Sequence, residues 1–567
     1  MKKKQRFNIF FFALFPSFFI CAVLLFYNGL YYATVDDLVI QDIVRGAFTG
    51  GAWDGVFISP LLSYPLSIAY RSINNVNWLG LFYISVMFGS ILASGLVFSK
   101  YCRGDFRKAV LSGLILFICW YQILWHFSFT TVAYSADIAG ILMLLYVIWD
   151  KRVDSFAKRW KLIVWITAGI LLIVVGTLIR SSTIISMLII LFPVVAYRLV
   201  IYREYKGMLL MLGLSLLYLG ISLIGNGIVS TSEIEESYER WNQARSDIGD
   251  YMSKEETLEA GIWDEDETDC FFEQIQYDKD IYNYENARAI SSRYKQRSRD
   301  QKIKDALYNL RILLSDIRHP RRYENIYVVV LLVAVVYACI MLKHMDADII
   351  MLLIGFVITL VAFAWIGRCL YRTIMPGGIF ATLLVLLILL MEADGKDVHR
   401  GILSVGVIVA VLLAVFMMFI HVPYRRDRAG QYDRSNLQAI EYFAEHQDKL
   451  FLAAQSEAFG IANCVPVTDV PYNDIANLTG NWNMYSESYY AIAEHYNVDD
   501  PDHLVRNIPD SDIIRLVARK EDGVPDHFMR FISEHSGKTD VHAELEDTFY
   551  TVWMGEWGVY AIKSKND

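Results

Sequence analysis

The chain has 567 residues, of which 55% are hydrophobic and 20% charged, with a formal net charge of −9. Soluble proteins are about 45–50% apolar, so the excess calls for a lipid solvent. The acidic balance, with no basic stripe interleaved with aromatics, excludes a nucleic-acid partner. The seven cysteines, Cys21, Cys102, Cys119, Cys270, Cys339, Cys369 and Cys464, form no CxxC and no metal-ligand spacing, which excludes a disulfide framework.

The chain begins Met1-Lys-Lys-Lys-Gln-Arg6 and then runs apolar from Phe7 to Tyr32. That run is too long for a cleaved signal peptide and meets Asp36-Asp37 without a small-x-small site, so it reads as a retained first transmembrane helix. About 20 apolar residues cross the hydrocarbon. Runs of that kind start near residues 8, 78, 108, 130, 161, 183, 207, 326, 348, 375 and 401. The expected fold is an α-helical polytopic membrane protein of about eleven transmembrane helices with two water-exposed parts.

Four regions follow from the charge pattern: an N-terminal bundle over 1–225 with a first outer loop at 33–77, a charged insert over 226–325, a second bundle over 326–420, and a tail over 421–567. With the N-terminus in the cytoplasm, the inner segments hold nineteen Lys and Arg and the short outer segments hold five, Arg45, Arg71, Arg180, Arg368 and Arg372. The positive-inside rule then places the insert and the tail on the extracytoplasmic face. The basic cluster Arg318-His-Pro-Arg-Arg322 runs against that assignment, although long translocated segments obey the rule poorly.

From Glu233 to Glu285 the insert carries eighteen acids and four bases, and from Asn286 to Asn325 four acids and eleven bases. Ala287 to Leu314 has helical spacing, with Ala306, Leu307, Leu310 and Leu314 expected on one side, either lying on a membrane or packed on the acidic half. In the tail, Ser435–Gln447 and Ser511–Arg519 read as helices. Leu450–Ala453, Phe549–Trp553 and Gly558–Ile562 read as strands, so a small C-terminal α/β domain is expected.

Ionisable residues near the hydrocarbon mark candidate functional sites. On this topology Asp36 and Asp37 follow span one, His126 closes span three, and Asp137 lies about two turns into span four. Arg180 caps span five, and Arg368 and Arg372 occupy the turn between spans nine and ten. All fall at the outer ends of helices. Arginines there can hold an anionic headgroup while a carboxylate takes a proton from an attacking hydroxyl. The plainer alternative is that Asp36 and Asp37 cap the stretch Leu38–Phe48, adding about 0.3–1 kcal/mol of stability, and that the arginines anchor the interface.

Val35-Asp36-Asp37-Leu38, then Arg45-Gly-Ala-Phe-Thr-Gly-Gly51 and the stretch to Asn77-Trp78, resembles the first extracytoplasmic loop of the GT-C superfamily, polytopic glycosyltransferases that use polyprenyl-phosphate-linked sugars. The chain also resembles a group of bacterial membrane proteins in the segment Tyr238-Glu-Arg-Trp-Asn-Gln-Ala-Arg245. The resemblance implies that Asp36 or Asp37 is the catalytic base or a metal-assisting acid. It further implies that Arg180, Arg368 and Arg372 bind the lipid-linked phosphate, with His126 and Asp137 as further substrate-binding candidates, and that a divalent metal is a candidate cofactor although no residue set in the sequence holds one. The implied partners are a polyprenyl-phosphate sugar donor, a glycan or lipid acceptor and the bilayer itself. The longest inner loop, about Asp150 to Trp160, is too short for a nucleotide-binding domain, so a donor must come from the membrane. Alternatives are a surface-polysaccharide polymerase or ligase, a transporter, and a non-catalytic scaffold. The absence of repeat symmetry among Pro16, Pro193 and Pro376 argues against the transporter.

Overall fold

The computed structural model describes residues 30, 32–45, 57–101, 106–149, 159–297, 299–318, 326–342, 346–367, 370–392, 400–416, 438–439, 441–454, 477–478, 484–551 and 555–565. In chain order, α1 (Val35–Arg45) and α2 (Pro60–Ser72) precede six apolar helices. These are α3 (Trp78–Ser99), α4 (Phe106–Trp125), α5 (Phe129–Trp149), α6 (Arg159–Ile179), α7 (Ser182–Tyr202) and α8 (Lys206–Val229). Polar helices α9 (Glu233–Tyr251), α10 (Lys254–Leu258), α11 (Glu265–Phe272), α12 (Tyr284–Lys295) and α13 (Arg299–Arg318) come next. Apolar α14 (Ile326–Leu342), α15 (Ala347–Ile366), α16 (Tyr371–Glu392) and α17 (Arg400–Phe416) complete the helical part. The tail adds β1 (Leu450–Ala453), β2 (Asn477–Leu478), α18 (Glu487–His495), β3 (Ile514–Arg519), α19 (Asp526–His535), β4 (His542–Thr551) and β5 (Gly555–Lys563).

Two compact bodies emerge. One comprises Met1–Ala33, Gly80–Ile224 and Asp300–Arg426, and the other comprises Thr34–Leu79, Gly225–Arg299 and Asp427–Asp567. The protein is mostly helical and multi-pass: α3, α5, α6, α7, α8, α15 and α16 are long and apolar enough to cross a membrane. The expected count of eleven is not reached among the described residues. The run from residue 8 lies outside them, α14 and the apolar part of α4 are shorter, and α17 has 17 residues.

In the first body, α5 and α16 form the centre, with 83% and 94% of their apolar windows buried, whereas only 17% of the α8 window is covered. Leu209, Leu212, Leu216, Leu219 and Leu223 of α8 recur at helical spacing, and each is at least half exposed. A stripe of that kind is stable only against lipid. Glycines set the closest approaches. Gly140 of α5 and Gly169 of α6 face each other, and a Cβ on Gly355 of α15 would lie 2.2 Å from the Ile190 carbonyl oxygen of α7. At the other end of α7, Arg198 donates from Nε and Nη2 to Asp348 Oδ2 of α15 at 2.9 and 2.5 Å, with its guanidinium 4.2 Å from the Trp149 ring centre. An ion pair removed from water holds only when its hydrogen bonds are satisfied in this way.

The second body is built on a five-stranded mixed sheet of order β2-β1-β3-β5-β4, with β1 parallel to β2 and β3, and β5 antiparallel to β3 and β4. Strand alternation splits its side chains between two faces. Phe451, Val517, Trp557 and Val559 pack with Phe443 on one face. On the other, Leu450, Leu452, Leu516 and Ile562 share a core with Trp241, Ile248, Trp263, Phe271 and Tyr282 of the insert. Residues 225–299 of the insert and the tail therefore fold around one core, whereas the insert from Asp300 onward belongs to the first body. Ion pairs stitch insert to tail at the rim: Arg530 to Asp266 at 2.7 and 2.6 Å, and Lys279 to Asp502 at 3.1 Å.

Ser511–Arg519, expected to be helical, is instead largely the central strand β3, buried along nearly its whole length. A fully covered strand loses the polar–apolar alternation that would distinguish it from a helix in sequence. Leu450–Ala453 is a strand as expected; β4 begins at His542, ahead of the expected Phe549–Trp553, whose last two residues lie outside the described ones, and β5 extends past Gly558–Ile562 at both ends. Residues 438–439 and 441–445 are helical within the expected Ser435–Gln447 helix. The expected helix Ala287–Leu314 is divided near Arg297 into α12 and α13. Ala306 is buried while Leu307 is 61% exposed, so the expected apolar side does not pack as one face, and the Leu314 side chain lies outside the described residues.

Gly355→Ala is expected to force α7 and α15 apart at a cost of about 1–3 kcal/mol, read as a lower melting temperature in detergent, because the obstructing atom is backbone. Gly213→Ala, with nothing within 4 Å, should leave that temperature unchanged. Asp266 is held below its ordinary value of 3.8 by the hydrogen bond from Arg530. A depressed folded-state value contributes stability above the unfolded value and loses it as pH falls. The stability gap between the natural protein and Asp266→Asn should therefore be full at pH 6 and shrink as pH drops below 3.8, measured by denaturant unfolding of the second body.

Candidate functional site

In the first body, the chain between α4 and α5 is fixed by a reciprocal cap. The Ser128 N–H donates to Thr131 Oγ1 at 3.0 Å, the Thr131 N–H donates to Ser128 Oγ at 3.4 Å, and the Thr131 hydroxyl reaches the His126 carbonyl at 2.6 Å. Such caps satisfy N–H groups left open at a helix start. His126 then stacks on Tyr371 at the start of α16, ring centres 4.4 Å apart, and Tyr371 meets Tyr327 of α14 at 5.9 Å. Arg372 follows Tyr371 in the first turn of α16, inside the helix rather than in the turn before it.

Arg180 occupies the junction between α6 and α7. Its Nη1 donates to Thr130 Oγ1 at 2.5 Å and its guanidinium lies 4.9 Å from the Phe129 ring centre, so a half-buried cation sits on the N-terminal turn of α5. His126, Arg180 and Arg372 thus gather at one end of this body, together with the N-termini of α5, α7, α14 and α16. Helix N-termini carry partial positive charge and open N–H groups, so the end as a whole favours an anion.

Asp137 is fully buried two turns further into α5. Its Oδ2 accepts the Thr183 hydroxyl of α7 at 2.6 Å, and a Cβ on Gly176 of α6 would come within 2.4 Å of its Oδ1. Tyr134 and Ser186 make a second α5–α7 hydrogen bond of 2.9 Å. Asp137 therefore joins α5, α6 and α7 beneath Arg180. Arg368 lies outside the described residues.

Asp36 and Asp37 belong to the second body, in the first turn of α1. Asp37 is fully buried and its Oδ2 accepts the Thr34 hydroxyl at 2.6 Å. Asp36 is partly exposed, and its charge acts on Arg245 of α9. Arg245 is buried, and desolvation brings its guanidinium down to about 10, against the raising influence of Tyr238, Asp250 and Asp36. It donates to Asn242 Oδ1 at 2.8 Å. Arg245 is a residue that reasoning on helix ends alone does not bring near Asp36. Its signal was the segment Tyr238–Arg245, which closes the gap to Asp36 only once α9 is folded.

Among the described residues of the second body, one group could coordinate a cation: ligand atoms of Asp278, Asp280 and His503 lie within 4.8 Å of one another. Its charges are already matched. His503 bonds Asp280 at 2.9 Å and Asp500 at 2.8 Å, and Arg506 reaches Asp280 at 3.2 Å. These bonds hold the Asp280 carboxyl below its ordinary range, while burial raises that of Asp278.

No protein-family model and no curated protein matches the sequence. Among solved structures, the chain is similar to ArnT from Cupriavidus metallidurans in the apo state, at 13% identity over 97% of each chain and a TM-score of 0.38. It is similar at 14% identity over 98% of each chain, with the same TM-score, to that protein bound to undecaprenyl phosphate. A likeness at that level carries no argument about fold or activity.

Thr183→Val is expected to strand the Asp137 carboxyl among apolar helices and to destabilise the first body by about 1–3 kcal/mol. Thr183→Ser, which keeps the donor, should melt within a degree or two of the natural protein by differential scanning fluorimetry, roughly the spread of a neutral substitution.

Proposed function

We propose that the protein is a membrane glycosyltransferase that moves a sugar from a polyprenyl-phosphate-linked donor to a cell-surface acceptor on the extracytoplasmic side. The observation that carries this reading is the gathering of Arg180, Arg372 and several helix N-termini at one end of an apolar bundle. An anionic headgroup whose lipid tail runs along apolar helices suits that end, because charge and tail are met by different parts of one surface.

In this reading Asp36 is the base. Of the two acids it is the partly exposed one, whereas Asp37 is buried with its carboxylate on Thr34 and holds the start of α1. Asp36 removes the proton of an acceptor hydroxyl, and the oxygen attacks the anomeric carbon as the bond to phosphate breaks. The departing phosphate takes the bonding electron pair and is stabilised by Arg180, Arg368 and Arg372. Displacement in one step inverts the anomeric centre.

Sidedness is supported by the charge pattern, in which lysine and arginine favour the opposite segments nineteen to five.

Purified protein supplied with a short-chain polyprenyl-phosphate sugar and a candidate acceptor tests the reading. Asp36→Asn should lower turnover by about 100-fold or more with an unchanged melting temperature, and Arg180→Ala should lower it by a similar factor. Full turnover by both variants would remove the base and the phosphate clamp together.

A further inference from the structure

A cavity of about 380 Å³ opens in the second body, within the range of small-molecule sites. One wall is a single face of α9, where Glu233, Glu236, Ser237, Arg240 and Trp241 recur at helical spacing. The segment from Lys279 to Glu285 forms the opposite wall, and Tyr485 of the tail closes the base. The floor is aromatic and rigid: Trp241 and Tyr485 meet edge to face with centres 6.0 Å apart, and both are nearly fully buried. The Tyr485 hydroxyl is already committed to the Gln276 carbonyl at 2.9 Å, so the floor presents carbon rather than polar atoms.

The rim is polar, and its charges are unequally matched. Arg240 pairs with Glu236 one turn away, and Lys279 is held by Asp502 at 3.1 Å and by the Tyr490 hydroxyl at 2.8 Å. Both cations are therefore occupied, whereas among the described residues Glu233 and Glu285 form no ion pair or hydrogen bond through their carboxylates. Asn283 and the half-buried Tyr284 stand beside Glu285. A phosphate or carboxylate would face two unmatched acids here and be repelled. Hydroxyl groups would find strong acceptors in those same carboxylates.

An aromatic floor under a rim of unpaired carboxylates and an amide complements one chemical class well. A sugar ring offers C–H surface below and outward hydroxyl donors at its edge. We propose that this cavity is a binding subsite for an uncharged saccharide, and, resting on the transferase reading above, that the saccharide is part of the acceptor. It is chemically unlike the cationic end of the first body, which suits a phosphate.

The test uses the full-length protein in detergent and saturation-transfer difference NMR, with cellobiose and N,N′-diacetylchitobiose as neutral probes and glucuronate as the anionic one. Saturation should reach the ring protons of a neutral disaccharide and not those of glucuronate. Glu285→Gln, isosteric and exposed, and Tyr284→Ala should each weaken binding by about tenfold, with melting temperatures unchanged for Glu285→Gln. Asp36→Asn should bind as the natural protein does. No saturation of either neutral disaccharide, equal saturation of glucuronate, or unaltered binding in Glu285→Gln and Tyr284→Ala would overturn the subsite. If transfer activity persisted in that case, the transferase reading would stand without it. Loss of the transferase reading with the disaccharide still bound would leave the subsite in place.

Discussion

The hydrogen bond from Thr183 to Asp137 is the constraint on which the first body depends. A carboxyl group inside apolar helices must find its partner in protein, because lipid supplies none. Here the partner comes from α7, and Gly176 of α6 leaves the room the carboxyl needs. Three helices are thereby brought together near the junction that carries Arg180. That residue lands on Thr130 and Phe129 of α5 because the helices on either side of it are already fixed.

The second body obeys a different solvent. Its core mixes residues from the insert and the tail, which are separated by well over a hundred positions in the chain, and no single stretch carries enough apolar surface to fold alone. The sheet supplies two faces, and the insert helices cover one of them. Tyr277 shows the dependence directly. It is buried, donates its hydroxyl to the Ala453 carbonyl of β1, and accepts the Val505 N–H of the tail at its own carbonyl. Aromatic floors such as that of the cavity by Trp241 arise where these two segments meet.

The two bodies present different chemistry. The first presents cations and helix N-termini at one end of an apolar bundle. The second presents carboxylates: Asp36 with a buried arginine beside it, and Glu233 and Glu285 on a cavity rim.

Hydropathy by itself determined where the apolar helices begin: α3 to α8 and α14 to α17 start within a few residues of the apolar runs, because twenty-odd residues without charge have few alternatives to a helix in lipid. The same sequence placed His126 and Arg180 at helix ends and Asp137 inside one. It also pointed to β1 and to the C-terminal hairpin, whose alternation survives in the chain. Only the tertiary structure decided that Ile514–Arg519 is a central strand, since burial on both faces erases the period that sequence reasoning relies on. Only folding brought Arg245 under the influence of Asp36, separated Asp37 from it by burial, and joined the insert to the tail. Those are contacts between residues far apart in the chain, and no local pattern encodes which distant partner a buried charge or an apolar face will find.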